Sequence, residues 1–401
     1  MNDPEGAAVD VLVLFFLGEE RRKHKSGLFS LVREVCAELY FGRDPHSHSR
    51  TPLDQPPAPR KRRVRYRGTH PRRFEEKYKE LQPERYSQDV QKVMERGQTP
   101  AGTHRSVLVN EVLEALEPRP GEIGLDATLG YGGHAVELLK RITPGGRLVG
   151  IDVDPVELPR TEARLRDLGF IPEMLVVRRM NFAGIQRLLA DSWEGFDFIL
   201  ADLGVSSMQI DNPQRGFTFK HDGPLDLRLN PQKGHSASSL LQSTDEDALA
   251  ALLKENADEP YAAVIARAVK AHREPIDTTA LLGSIVQAAV ESAVRGPDRL
   301  DEVKAAKQRV FQALRIAVND EFGALDRFLE QLQACLKPGG RVAVLSFHSG
   351  EDRRVKKSFV SGLRCGLYER VAPDVVRASS QERHDNPRSA CVKMRWAVRG
   401  R

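Results

Sequence analysis

From residue 123 onward, short apolar runs alternate with stretches whose apolar positions recur at helical spacing. The runs Ile123–Ala127, Arg147–Asp152, Leu175–Arg179, Phe196–Ala201 and Arg341–Phe347 have the length and residue types of buried strands. Between them, His134–Ile142 and Glu157–Leu168 carry an amphipathic helical pattern. Glycine-proline breakers, Pro144-Gly145-Gly146 and Pro338-Gly339-Gly340, precede two of the strands. This alternation predicts an α/β fold built on a doubly wound parallel sheet. It stops after Gln209. Residues from about 211 to 303 are helical and loop-rich, with Ala-rich periodicity at 246–270 and 279–294. The helical stretch Val310–Leu336 and the strand at 341 then resume the first pattern. The expected organisation is a sheet domain of residues 104–210 and 304–401, interrupted by an inserted helical domain at 211–303.

Ahead of the sheet domain the pattern changes twice. Residues 1–59 are a poorly defined extension and linker, with short helical stretches such as Leu28–Tyr40. A Pro/His/Ser-rich tract follows (Asp44-Pro45-His46-Ser47-His48-Ser49, then Pro56-Pro57-Ala58-Pro59). Residues 60–103 form a charged arm that opens with Arg60, Lys61, Arg62, Arg63, Arg65, Arg67, Arg72 and Arg73, with Tyr66 and Phe74 interleaved. A density of this kind suits a segment that lies along a polyanion such as RNA, although most charge runs are only solvated surface. The net charge of +5 points the same way. Four scattered cysteines, Cys36, Cys335, Cys365 and Cys391, form no C-x-x-C pair, which disfavours a zinc site or a disulfide framework. The apolar run Val11 to Leu17 is too short to span a bilayer and follows acidic residues, so a cytoplasmic protein without a membrane anchor is expected.

The candidate chemistry lies at the strand tips. After the first strand comes Asp126-Ala127-Thr128-Leu129-Gly130-Tyr131-Gly132-Gly133-His134-Ala135, a small-residue turn that lets backbone approach a ligand at a helix N-terminus. The second strand ends at Asp152, placed to accept hydrogen bonds from ribose hydroxyls. Together they indicate a cofactor bearing a nucleoside. The spacing Gly130-x-Gly132-x-x-Ala135 also satisfies a dinucleotide pattern, which leaves an NAD-dependent oxidoreductase as an alternative. Asp126 and Asp202 argue against it, because carboxylates near a pyrophosphate repel it. The same carboxylates attract the ammonium and sulfonium of S-adenosylmethionine. The fourth strand spills into Ala201-Asp202-Leu203-Gly204-Val205-Ser206-Ser207-Met208-Gln209, a turn too polar for packing to explain. Asp202 is the first candidate for a catalytic group at this turn, with Ser206 and Ser207 beside it as orienting groups, and a purely cofactor-binding role for Asp202 stays open. Phe182 is either core or an adenine platform.

These segments resemble the family of 16S ribosomal RNA cytosine-N4 methyltransferases. The similarity runs through His104-Arg105-Ser106-Val107-Leu108, Asp126 to His134, Ala201 to Asp211 and Arg215 to Arg228. It continues through Phe311-Gln312-Ala313-Leu314-Arg315-Ile316 with Val318-Asn319, and Ser346-Phe347-His348-Ser349-Gly350-Glu351-Asp352-Arg353. It implies a class I, Rossmann-like methyltransferase sheet with an inserted helical substrate domain. It implies that Gly132, Gly133, His134, Asp152, Phe182, Asp202 and Gln209 contact S-adenosylmethionine. The implied substrate is small-subunit ribosomal RNA near the decoding centre, as free RNA or within an assembled subunit. No metal is expected, and a homodimer is among the arrangements left open.

The run Arg215 to Arg228 has neither helical nor strand periodicity. Arg215, Phe217, Phe219, Asp222, Asp226 and Arg228 are therefore candidates for contact with the target RNA, against the alternative of a loop held by internal ion pairs. His348, Asp352 and Arg353 stand as candidates beside them, with a supporting ion-pair network as the alternative. The chain departs from the family at Ala257-Asp258-Glu259, at Lys304 to Gln308, at Gly350 where Leu is common, and along Arg388 to Arg395. A non-catalytic RNA-binding assembly factor with the same fold is the second alternative.

Overall fold

The computed structural model describes residues 106–191 and 194–401. The predicted extension 1–59, the basic arm 60–103 and the leading His104-Arg105 lie outside them. Among the described residues, seven strands form one sheet: β1 (Ile123–Asp126), β2 (Arg147–Asp152), β3 (Leu175–Arg179), β4 (Phe196–Asp202), β5 (Leu336–Ser346), β6 (Tyr368–Val371) and β7 (Lys393–Arg399). Their order is β3-β2-β1-β4-β5-β7-β6. The first five run parallel, and β7 is antiparallel to both β5 and β6. β4 is buried on both faces, as a central parallel strand must be, which is why it reads as a nearly unbroken apolar run. Gly124 of β1 makes room for it, since a Cβ there would sit 2.1 Å from the Phe198 ring.

The sheet separates two apolar layers by strand alternation. On one face, Val149, Ile151, Ile199 and Ala201 pack against Leu325, Phe328 and Leu332 of helix Glu321–Cys335 and Val355 of helix Ser349–Arg364. On the other, Leu148, Phe198 and Leu200 pack against Val112 of helix Val109–Leu116, Leu138 of helix Gly133–Ile142 and Leu165 of helix Glu157–Asp167. Period-two alternation therefore decides which helix covers which residue.

The stretch after β4 is helical, with helices Ala237–Ser243, Glu246–Ala257, Ala262–Ala271 and Thr279–Ala293. Ser236, Asp245 and Thr278 start three of them by accepting a hydrogen bond from the backbone N–H three residues on. Leu249, Leu253, Ile265, Leu282, Val286 and Val290 form a separate core with Val303, Val310 and Leu314. The last three belong to helix Arg299–Asn319, which runs unbroken past residue 303 and ends beside the sheet.

Strand limits differ from the sequence reading at several ends. β1 stops at Asp126, β4 extends through Asp202 and β5 begins at Leu336. The antiparallel β6 and β7 were not anticipated. β6 is only four residues long, and β7 interleaves Lys393, Arg395 and Arg399 with apolar residues. At Gly350 the ring of Phe322 fills the space a side chain would need, 2.5 Å from a built Cβ.

Candidate active site

Strand order reverses at β1, with β2 and β3 on one side and β4 and β5 on the other, which opens a crevice at their carboxyl ends. Register brings Asp126 opposite Gly150 and Leu200, and Asp202 opposite Leu345, so the carboxylates of β1, β2 and β4 converge on one rim. The crevice has a volume of about 420 Å³ and is lined by Asp126, Gly130 to His134, Asp152, Phe182, Asp202, Ser206, Ser207 and Gln209 among others. All the residues expected to contact S-adenosylmethionine thus share one cavity, together with Ser206 and Ser207.

The glycine turn is tight. Gly130 and Gly132 have φ of 48° and 75°, in the left-handed region that side chains resist. Gly132 is the N-cap of helix Gly133–Ile142, and a Cβ on Gly133 would meet Ser106 Oγ at 2.1 Å. Thr161 Oγ1 donates to the Gly130 carbonyl at 2.6 Å, and the Gly130 N–H donates to Asp152 Oδ2 at 2.9 Å. The turn is therefore pinned from the helix behind it and from the neighbouring strand.

Three carboxylates and one imidazole set the local electrostatics. Asp126 is 1% exposed. Burial pushes its carboxyl up to about 7, against the lowering pull of His134 and of the Thr128 N–H. Asp152 is raised as well, first by burial, with the N–H groups of Asp154 and Gly130 opposing. For His134, burial acts to lower the pKa, but the close approach and charge of Asp202, with the charges of Asp126 and Glu382, leave it above its ordinary value. His134 Nε2 lies 3.6 Å from Asp202 Oδ2. His134 Nε2 and Asp202 Oδ1 are both enclosed without a hydrogen-bond partner. Buried polar atoms left in that state mark a place shaped for a polar ligand.

Gln209 enters the crevice already committed. It closes a capping box with Ser206, taking the Ser206 N–H on Oε1 at 2.9 Å, and its Nε2 donates to Asp154 Oδ2 at 2.7 Å. Arg215 donates to the same Asp154 oxygen at 2.8 Å and also to the carbonyls of Arg228 and Leu229. Asp154 is 1% exposed, and these donors hold its carboxyl below the usual range despite its burial. Sequence reasoning passed over Asp154, Thr128, Asn319 and Arg388. Thr128 Oγ1 accepts the Asp202 N–H at 2.6 Å and so fixes the tip of β4. Asn319 lines the crevice while holding the Leu229 N–H and the Leu227 carbonyl. Arg388 lines it from the C-terminal segment and meets Asp211 at 3.3 Å. Asp154 had a local signal, the acidic pair Asp152-Val153-Asp154; Asn319 and Arg388 lay in segments aligned with the family but carried no pattern that places them at the crevice.

The residues expected to meet RNA lie apart from the crevice lining. Phe217 and Phe219 pack against the core of the inserted helices, and Phe219 sits edge-on to Phe311 at 5.5 Å. Asp226 and Arg228 pair with each other at 2.6 Å, and Asp222 accepts the N–H groups of Gly223 and Ala280. His348 is enclosed with Nε2 3.2 Å from Glu351 Oε1. Glu321, His348 and Glu351 place three donor atoms within 4.8 Å, but both Glu321 oxygens are engaged by Arg315 at 2.8 and 2.9 Å. Asp352 is held by Arg395 and Lys393, which keep its carboxyl low despite partial burial. Arg353 is exposed, 3.7 Å from Asp258.

A parallel sheet with a terminal antiparallel pair, a glycine turn at the switch point and acidic tips on β1, β2 and β4 define a class I methyltransferase. The chain belongs to the MraW methylase family, whose profile matches residues 101–400. It is 53% identical over 350 residues to ribosomal RNA small subunit methyltransferase H 2 of Alkaliphilus metalliredigens, covering 86% of this chain and 100% of that protein. It is 51% identical over 343 residues to ribosomal RNA small subunit methyltransferase H 1 of Lachnoclostridium phytofermentans, covering 84% and 93% respectively. The corresponding enzyme of Rubrobacter xylanophilus is 42% identical over 320 residues, 75% of this chain and 96% of that protein.

Proposed function

We propose that the protein methylates the exocyclic N4 amine of a cytosine in small-subunit ribosomal RNA near the decoding centre, using S-adenosylmethionine, and that it acts in the cytoplasm on the assembled small subunit. The observation that carries the cofactor is the convergence of Asp126, Asp152 and Asp202 on a glycine turn, with two enclosed polar atoms lacking partners. Three carboxylates around one cavity favour a cationic ligand and disfavour a pyrophosphate. The names of the relatives support small-subunit ribosomal RNA as the substrate class. Among the described residues no helix is long and apolar enough to cross a membrane.

S-adenosylmethionine supplies an electrophilic methyl group on a sulfonium. Gly132, Gly133 and His134 at the helix N-terminus, Asp152, Phe182 and Gln209 are the groups placed to hold it. Asp152 keeps lone pairs for ribose hydroxyls while each oxygen accepts one backbone N–H. Phe182 lines the crevice and packs perpendicular to Phe328 at 5.4 Å between ring centres, which fixes the ring as a candidate aromatic platform. The target nitrogen is a weak nucleophile because its lone pair is conjugated with the ring. Asp202 accepts a hydrogen bond from that amine and orients it, with Ser206 and Ser207 at the same rim. Alignment then accounts for much of the acceleration.

Incubation with labelled S-adenosylmethionine tests both parts. Small subunits lacking the modification should accept label, and free ribosomal RNA much less. Equal labelling of free RNA would sink the assembled-subunit part of the reading. Absence of binding by isothermal calorimetry would sink the cofactor part.

A further inference from the structure

The two carboxylate oxygens of Asp202 differ in their surroundings. The side chain is 27% exposed at the crevice, yet Oδ1 is enclosed, so the accessible oxygen is Oδ2. The same Oδ2 faces His134 Nε2 at 3.6 Å, just beyond hydrogen-bond length. His134 is the second residue of helix Gly133–Ile142, its ring is 7% exposed, and Nε2 has no other partner. The Asp202 backbone is fixed independently by Thr128, so the carboxylate plane is the remaining freedom at this tip. A buried imidazole aimed at a carboxylate commonly sets that carboxylate's orientation and charge.

We infer that His134 is a positioning residue for Asp202, its Nε2 facing Oδ2 and holding the carboxylate turned so that the target amine donates to it. This rests on the amine methylation proposed above. The balance is simple: N4 bonds to the methyl carbon, and the methyl–sulfur bond breaks with its electron pair on sulfur. The proton that N4 then loses passes to Asp202 and on to water. A weak base suffices, because a methylated, positively charged amine is strongly acidic. The groups facing His134 are Asp202 from β4, Asp126 from β1 and Glu382 from helix Ser380–Asp385, all acidic, and together they favour the protonated ring.

Two measurements test this. In the cofactor-free protein, NMR titration of the His134 ring should give a midpoint above the ordinary value of about 6.5, and Asp202→Asn should lower it. A midpoint that ignores Asp202→Asn overturns the pairing. In single-turnover methyl transfer at saturating cofactor and RNA, His134→Gln should lower the rate roughly ten- to a hundredfold. It should also abolish the fall in rate that the wild type shows as pH rises through the His134 midpoint. A His134→Gln variant that only weakens cofactor binding, with an unchanged saturated rate and pH profile, makes His134 a cofactor contact and refutes the inference. A cooperative thermal unfolding transition and an unchanged far-ultraviolet circular dichroism spectrum show that His134→Gln is folded, independently of cofactor binding. Absence of transfer by the wild type would instead refute the proposed function.

Discussion

The buried carboxyl of Asp126 should make cofactor affinity depend on pH. Its pKa is displaced from 3.8 to about 7, chiefly by burial. Ionised Asp126 therefore carries roughly 4 kcal/mol of unfavourable interaction in the free protein, at 1.36 kcal/mol per pH unit. Its folded pKa lies above its unfolded one, so the folded state binds the extra proton and stability from this group falls between about pH 4 and pH 7. A cationic ligand reverses the preference and expels the proton. About nine-tenths of the groups are ionised at pH 8 and about one-tenth at pH 6, so affinity for S-adenosylmethionine should fall roughly tenfold between those values. Calorimetric titration in buffers of different ionisation enthalpy should record proton release near neutral pH. His134 titrates in the same sense, so Asp126→Asn assigns the effect: the variant binds weakly and with a much flatter pH dependence. It should also unfold at a higher temperature than the wild type at pH 8. Equal wild-type affinity at pH 6 and pH 8, or an Asp126→Asn variant with the full slope, would refute the reasoning.

Arg215→Met should cost about 3–5 kcal/mol in urea denaturation, because Asp154 stays buried without its cation. The folded pKa of Asp154 is depressed, so its contribution is present at neutral pH and lost as pH falls through that pKa. In Arg215→Met that loss should begin at a higher pH, seen as an earlier acid transition. Gly216 has φ of 73°, and a Cβ there would lie 2.3 Å from the Pro224 carbonyl oxygen and 2.9 Å from the Asp226 nitrogen. Gly216→Ala should therefore destabilise by about 2 kcal/mol or more, with wild-type stability as the contrary result. Removal of residues 1–75 should flatten the salt dependence of RNA affinity through loss of the basic run, and an unchanged slope would count against that arm.

Much of the sheet could be read from residues 123–210 because strand tips there carry their own punctuation. Asp126, Asp152 and Asp202 each follow an apolar run, and nonpolar burial and polar function separate at a single peptide. The break after Gln209 is legible because the short apolar runs cease there and only helical spacing continues. The loop from Arg215 to Arg228 was ambiguous for a physical reason. Its partners, Asp154, Asn319 and Phe311, are distant in sequence, so a mixture of charges and aromatics looks the same whether it faces RNA or its own domain. β6 and β7 were hidden because a short strand and a charge-interleaved strand lack the continuous apolar signal of β4. Arg388 reaches the crevice only through the antiparallel return of the C-terminal segment, which local pattern does not encode.

The central claim is tested most directly by incubating small ribosomal subunits that lack the modification with S-adenosylmethionine and either wild-type protein or Asp202→Ala, then analysing the nucleosides. The account predicts N4-methylcytidine with the wild type and little or none with Asp202→Ala. A different methylated nucleoside, or N4-methylcytidine formed equally well by Asp202→Ala, would contradict it.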